Sequence, residues 1–237
     1  MAPKGRVVVF GRGPAAGGIL RAALDAGYRA VALKDLRAIQ REVPDAAIAV
    51  EASAADHLRK REALEAIGNA LQPHALLLAD ALPATAAECA AWTGQPRLCV
   101  GYGVVGSLAD QRVVELVRSP ATYDEAMEKA RAFFADLGRE TRDVGDRPGL
   151  ICGRTIAALA NEAAWAVTHG VASADDVDRA MQLGTNYPRG PLAWAREVGV
   201  DRIVAILENL QRHEGEAYEP APLLLKMAGK RKETVTR

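Results

Sequence analysis

The chain has 237 residues, 49% of them apolar, enough for one substantial core or two modest ones, since domains usually run about 100–150 residues. Thirty basic residues balance thirty acidic ones, which removes the electrostatic ground for general nucleic-acid binding or for attraction to an anionic membrane. Cys89, Cys99 and Cys152 lack CxxC spacing, so neither a disulfide framework nor a zinc site is expected, and a reducing cytoplasm fits best.

The N-terminus, "MAPKGRVVVF", enters a strand-like run without the apolar segment and cleavage site of a signal peptide. No run approaches the ~20 apolar residues of a membrane span, and the expectation is a protein neither exported nor inserted. "RVVVF" (6–10) is β-branched and stops at Gly11, and "PAAGGILRAALDAGY" follows with Pro14 suited to a first helical turn. The turn between them, "GRGPAA", matches G-x-G-x-x-G/A with Gly11, Gly13 and Ala16. The first glycine permits the tight turn, the second lets backbone approach a pyrophosphate, and the third small residue lets helix pack on strand. The next strand, "AVAL" (30–33), is followed after Lys34 by Asp35, a carboxylate placed to accept the ribose hydroxyls of NAD. Pro14 removes one of the N–H groups that face a phosphate, so a weakened NAD site is expected.

Further strands are predicted at "AAIAVEA" (46–52), "ALLLAD" (75–80), "RLCVGY" (97–102), "VVELV" (113–117) and "ETRDVG" (140–145), with helices near 56–71, 83–92 and 123–138. Short apolar runs alternating with amphipathic helices predict an α/β fold, a Rossmann-like, doubly wound, mostly parallel sheet over residues 1–146. From Arg147, "DRPG" reads as a linker, and residues 147–237 carry helical periodicity with no strand signal. One helix should place Ile156, Leu159, Ala160, Ala163 and Val167 on a stripe ended by Gly170. Another runs from Ser173 as N-cap to Gly184, and two more, broken by Gly and Pro, lie between residues 186 and 215. The small residues of the first helix suit a bundle or a subunit interface equally. The final "KMAGKRKETVTR" is locally basic and reads as a solvated end.

The C-terminal run "NEAAWAVTHGVASADDVDRAMQLGTNYPRGPLAWAREVGVDRI" with "YEPAPLLLKM", and the N-terminal "VVVFGRGPAAGGIL", "PDAAIAVEA", "LQPHALLLAD" and "VVELVRSPAT", resemble the 3-hydroxyacyl-CoA dehydrogenases, above all their bacterial 3-hydroxybutyryl-CoA members. The resemblance implies a Rossmann domain followed by a helical dimerisation domain, and NAD-dependent oxidation of L-3-hydroxyacyl-CoA. It also implies a histidine base supported by a glutamate. Glu115 matches that glutamate, whereas Gly103 stands where the histidine belongs, with Tyr102 beside it. Gly153 stands opposite the family's asparagine, and "ADALP" replaces its "SNTSS" loop, with Asp80 at the asparagine and Leu82 at a serine. Only "LRAIQREVPD" occupies the place of a helical hairpin that helps hold CoA, and the "GRGFY" ending is absent.

The pattern is most similar to the degenerate second module of long bacterial members of fatty-acid and aromatic-acid breakdown. Three functions remain open. The chain is an inactive family member that pairs with itself or with an active paralogue through its helical domain. It is an active oxidoreductase in which Tyr102, Glu115 or Asp80 moves the proton. Or it is a non-catalytic module that binds NAD or a CoA ester. No metal ligand set and no nucleic-acid or membrane partner is expected.

Overall fold

The computed structural model describes residues 4–53 and 57–229. Met1 to Pro3, the start of the segment predicted near 56, and the basic tail from Lys230 lie outside the described residues. The run at 6–10 lies in β1 (Lys4–Phe10). Val7 and Val9 enter one core cluster and Val8 and Phe10 another, because successive side chains of a strand point to opposite faces. A strand apolar on both faces needs helices on both sides. α1 (Pro14–Asp25) and α5 (Asp124–Asp136) cover one face, burying Ile19, Phe133 and Phe134 against Val100 and Tyr102. α2 (Ile39–Glu42), α3 (His57–Ala70) and α4 (Ala86–Trp92) cover the other with Ile39, Leu64, Ile67 and Cys89.

β2 (Tyr28–Leu33), β3 (Ile48–Glu51), β4 (Leu76–Asp80), β5 (Cys99–Gly103), β6 (Val113–Arg118) and β7 (Glu140–Asp143) complete one sheet of order β2-β1-β3-β4-β5-β6-β7. The first five strands run parallel; β6 is antiparallel to β5, and β7 is parallel to β6. The predicted Rossmann-like, mostly parallel sheet is therefore present. Strand β2 starts two residues earlier than the apolar run suggested, because β1 already offers it backbone partners from Lys4.

After the sheet come α6 (Cys152–Thr168), α7 (Ala174–Thr185), α8 (Pro191–Val198), α9 (Val200–Glu214) and α10 (Pro222–Met227). Helix α6 buries Gly153, Ala157, Ala160, Asn161, Ala163 and Ala164, whereas Ile156, Leu159 and Val167 of the predicted stripe are only half-buried. The small side chains face the bundle because α8 and α9 pack tightly on that side. Helix α7 runs past Gly184 and ends at Asn186, which takes the left-handed conformation at φ 56.

Two seams hold the helical half to the sheet. Asp146, in the connection, accepts the Ala86 and Ala87 amides at 2.8 and 2.9 Å and so caps α4. From α9, Asn209 donates to the Leu82 carbonyl at 3.1 Å. The helical core is continuous with Ala81, Leu82 and Val117 at the sheet's edge. Among the described residues no helix is long and apolar enough to cross a membrane.

Candidate functional site

In an open α/β sheet the ligand crevice lies at the carboxyl ends of the strands. Here the β1 end carries the glycine turn. Gly11 has φ +144, and a Cβ there would stand 2.5 Å from the Ala52 carbonyl oxygen, so only glycine lets the turn pass so close to the loop after β3. Gly13, φ +96, has nothing within 4 Å of its Cβ position, which leaves open space at the N-terminus of the 12-residue α1. Ala16 is buried under that helix. Asp35 is exposed and its Oδ1 accepts the Arg37 amide at 2.9 Å, capping a 3₁₀ turn over Leu36–Ala38. A cavity of about 830 Å³ joins Gly11 and Asp35, with Arg12, Lys34, Arg37 and Ser53 on its walls. Gly13 lines a separate space of about 100 Å³ between Arg12 and the α8–α9 turn at Gly199, room for about three waters.

The second cluster lies at the β5 end. Gly103 and Glu115 are direct cross-strand partners, so any side chain at 103 points at the carboxylate, and a Cβ there would be 3.0 Å from Glu115 Oε2. The same Cβ would be 2.9 Å from Leu150 Cδ1 and 3.3 Å from Leu82 Cδ2. At Gly153 a Cβ would meet Leu82 Cδ2 at 2.8 Å. Leu82, fully buried, thus fills the space that faces both glycines. Glu115 is 5% exposed, and its Oε1 accepts the Ile151 and Cys152 amides at 3.1 and 3.2 Å. It caps the start of α6. Burial raises its carboxyl above the usual range, against the pull of those two amides.

The other residues considered for proton transfer are committed elsewhere. Tyr102 points to the opposite face of the sheet, packs on Phe134, and donates its hydroxyl to the Glu51 carbonyl at 3.1 Å. Burial pushes its phenol well up. Asp80, also fully buried, pairs with Arg202 of α9 and accepts the Leu82 amide at 3.2 Å. Arg202 completes its fork on the Val104 and Val105 carbonyls, the latter at 2.9 Å.

Two buried charge pairs escaped sequence reasoning. Arg202 offered little signal, being one cation before the apolar "IVAIL". Lys60, paired with Glu51 in full burial, was legible: it falls three, four and seven residues before Ala63, Leu64 and Ile67, on the apolar stripe of α3. Burial opposes the Lys60 ammonium most strongly, but the Glu51 carboxylate together with Cys89 and Asp80 outweighs it, and its pKa is raised. Ser53 also donates to Glu51. No histidine approaches Gly103: His57 and His213 flank Glu88 at 3.3 and 3.5 Å, and His74 and His169 are exposed. Among the described residues no group of three or more His, Cys, Asp or Glu side chains could hold a metal ion.

Between the sheet and the helices runs a cleft of about 840 Å³, walled by Val105, Gly106, Ile151, Ile156, Trp194 and Val198 with Ser107 and Arg189. Its walls are largely apolar, as in most small-molecule sites.

The family model of the 3-hydroxyacyl-CoA dehydrogenase NAD binding domain matches residues 29–147, and that of the C-terminal domain matches residues 149–235. The chain belongs to the 3-hydroxyacyl-CoA dehydrogenase family. A probable 3-hydroxybutyryl-CoA dehydrogenase of Bacillus subtilis is 32% identical over 186 residues, 78% of this chain and 65% of that protein. The 3-hydroxyadipyl-CoA dehydrogenase of Escherichia coli is 43% identical over 118 residues, 49% of this chain and 25% of that protein. The chain thus spans less than two thirds of the length of these curated relatives. The crystal structure of Mycobacterium tuberculosis FadB2 superposes with a TM-score of 0.80 at 22% identity, covering 97% of this chain and 94% of that one; the likeness carries the fold.

The family's NAD fits this chain in one half only. The open space at Gly13 and the cavity at Gly11 and Asp35 suit an adenosine and a pyrophosphate. At the ends of β4 and β5, where a dinucleotide's reacting half would lie, Leu82, Leu150 and the Asp80–Arg202 pair close the floor. No hydride-transfer step is derivable from these residues.

Proposed function

We propose that this 3-hydroxyacyl-CoA dehydrogenase family protein holds an adenosine nucleotide and performs no hydride transfer, acting in fatty-acid or aromatic-acid breakdown through its helical half. The observation that carries the proposal is Leu82, whose side chain occupies the space facing both Gly103 and Gly153. Oxidation of a 3-hydroxyacyl thioester needs a base at the 3-hydroxyl. Glu115 is the retained member of the family's pair, and its carboxylate is bonded to two amides. Gly11, Gly13, Ala16 and Asp35 would hold the nucleotide in a unit of residues 1–146, with NAD bound weakly. The names of the relatives point to CoA thioesters, and the apolar cleft beside Trp194 would receive one.

Residues 147–237 would join a second copy or an active paralogue. Exposed Val171 and Leu183, 74% and 75% accessible, support an interface there. The test combines calorimetry with NAD and acetoacetyl-CoA, an NADH-oxidation assay with acetoacetyl-CoA, and light scattering. Binding without turnover by an oligomer is the expected result. Turnover above the uncatalysed rate that disappears in Glu115→Gln sinks the non-catalytic assignment, and absence of any nucleotide binding sinks the nucleotide half. A strict monomer indifferent to active relatives removes the pairing role.

A further inference from the structure

The cavity at Gly11 is more basic than a plain NAD pocket requires. Lys34 and Arg37 flank Asp35, Arg12 rises from the glycine turn, and Arg59 enters from α3. Arg12, Lys34, Asp35 and Arg37 are exposed to the same space. Among the described residues neither Arg12, Lys34 nor Arg37 has an ion-pair partner, whereas most cations elsewhere on the sheet half, such as Arg6, Lys60, Arg118 and Arg131, are paired. Three carboxylates, Asp35, Glu62 and Asp201, face the cavity as well. Asp35 is the one at the β2 end, where a ribose hydroxyl would be accepted, and one of its oxygens is already committed to the Arg37 amide.

A nucleotide with a free ribose diol needs one carboxylate here and leaves Lys34 and Arg37 without an anionic partner. A phosphate monoester carries ≈ −1.5 to −2 charges and three strong acceptors, and an arginine fork with a lysine is the usual pairing for it. We propose that the cavity takes an adenosine nucleotide bearing a phosphate on its ribose, held by Lys34 and Arg37 with Arg12 at the pyrophosphate. The proposal rests on the nucleotide-binding assignment above and specifies its ligand. The 2′-phosphate of NADP and the 3′-phosphate of coenzyme A share this chemistry.

Calorimetry on the full chain separates the sources, with ADP-ribose against 2′-phospho-ADP-ribose, and 5′-AMP against adenosine 3′,5′-bisphosphate. The phosphorylated member of at least one pair should bind about tenfold tighter or more, the equivalent of a charge-assisted hydrogen bond. The pair that shows the preference identifies the 2′ or the 3′ position. The preference should shrink as ionic strength rises from about 0.1 M to about 1 M, and Lys34→Gln/Arg37→Gln should bring the affinity ratio toward one. Equal affinities in both pairs, or a preference that survives the double substitution, overturn the proposal while leaving nucleotide binding intact. Failure of all four ligands to bind overturns both.

Discussion

Substituting alanine for Gly153 tests directly whether Leu82 fills the emptied site. Gly153 is the second residue of α6, where alanine ordinarily gains up to about 1 kcal/mol over glycine. Here the added methyl would stand 2.8, 3.4 and 3.5 Å from Leu82 Cδ2, Cδ1 and Cγ, the three nearest atoms. Overpacking of this kind costs about 1–3 kcal/mol, so Gly153→Ala should be neutral to destabilising by about 2 kcal/mol, the overpacking cost less the helical gain. Leu82→Ala alone removes a fully buried side chain and should cost about 2–5 kcal/mol. In that background all three opposing atoms are gone, and Gly153→Ala should turn stabilising by up to about 1 kcal/mol as its methyl enters the vacated space. The four proteins of the cycle, unfolded in urea at pH 7, should therefore show a coupling of about 1–3 kcal/mol. Additivity within about 0.5 kcal/mol refutes the packing on which the non-catalytic assignment depends.

Glu115 should make acid stabilising over a limited range. Burial holds its native carboxyl above the usual carboxylate range, so on acidification the folded state takes up the proton first, and stability rises from the native pKa down to the unfolded one. Wild type compared with Glu115→Gln by urea unfolding between about pH 4.5 and 7.5 should gain relative stability as pH falls; a flat or opposite difference contradicts the burial of this carboxylate. Arg202→Met leaves Asp80 buried without its cation and frees the Val104 and Val105 carbonyls. A loss of about 3–5 kcal/mol is expected, since breaking a buried pair strands a charge. Asp80→Asn should recover part of that loss in the Arg202→Met background, and no recovery in the double variant contradicts the pairing.

Local chemistry determined much of this protein from the sequence alone. "RVVVF" followed by Gly11, Gly13 and Pro14 can form little besides a strand, a tight turn and a helix start, because β-branching, positive φ and proline each act within a few residues. The same locality made the sheet half and the helical half legible, whereas the relation of Glu115 to Gly103 was implied by the family resemblance. Asp35 shows where local reasoning divides: a carboxylate at a strand end suits both a ribose and a helix cap, and the structure shows it capping the turn at Arg37.

What the tertiary structure alone decided depends on residues far apart in the chain. That Gly103 stands where the family resemblance implies a histidine could be read from one position. That Leu82 and Leu150 converge on Gly103, 21 and 47 residues away, could not, because apolar side chains carry no directional signal and close-packing assigns them only once the backbone is placed. Arg202 reaching across to Asp80 and β5 is a similar case: burial is what makes such a pair matter, and burial is a property of the assembled core.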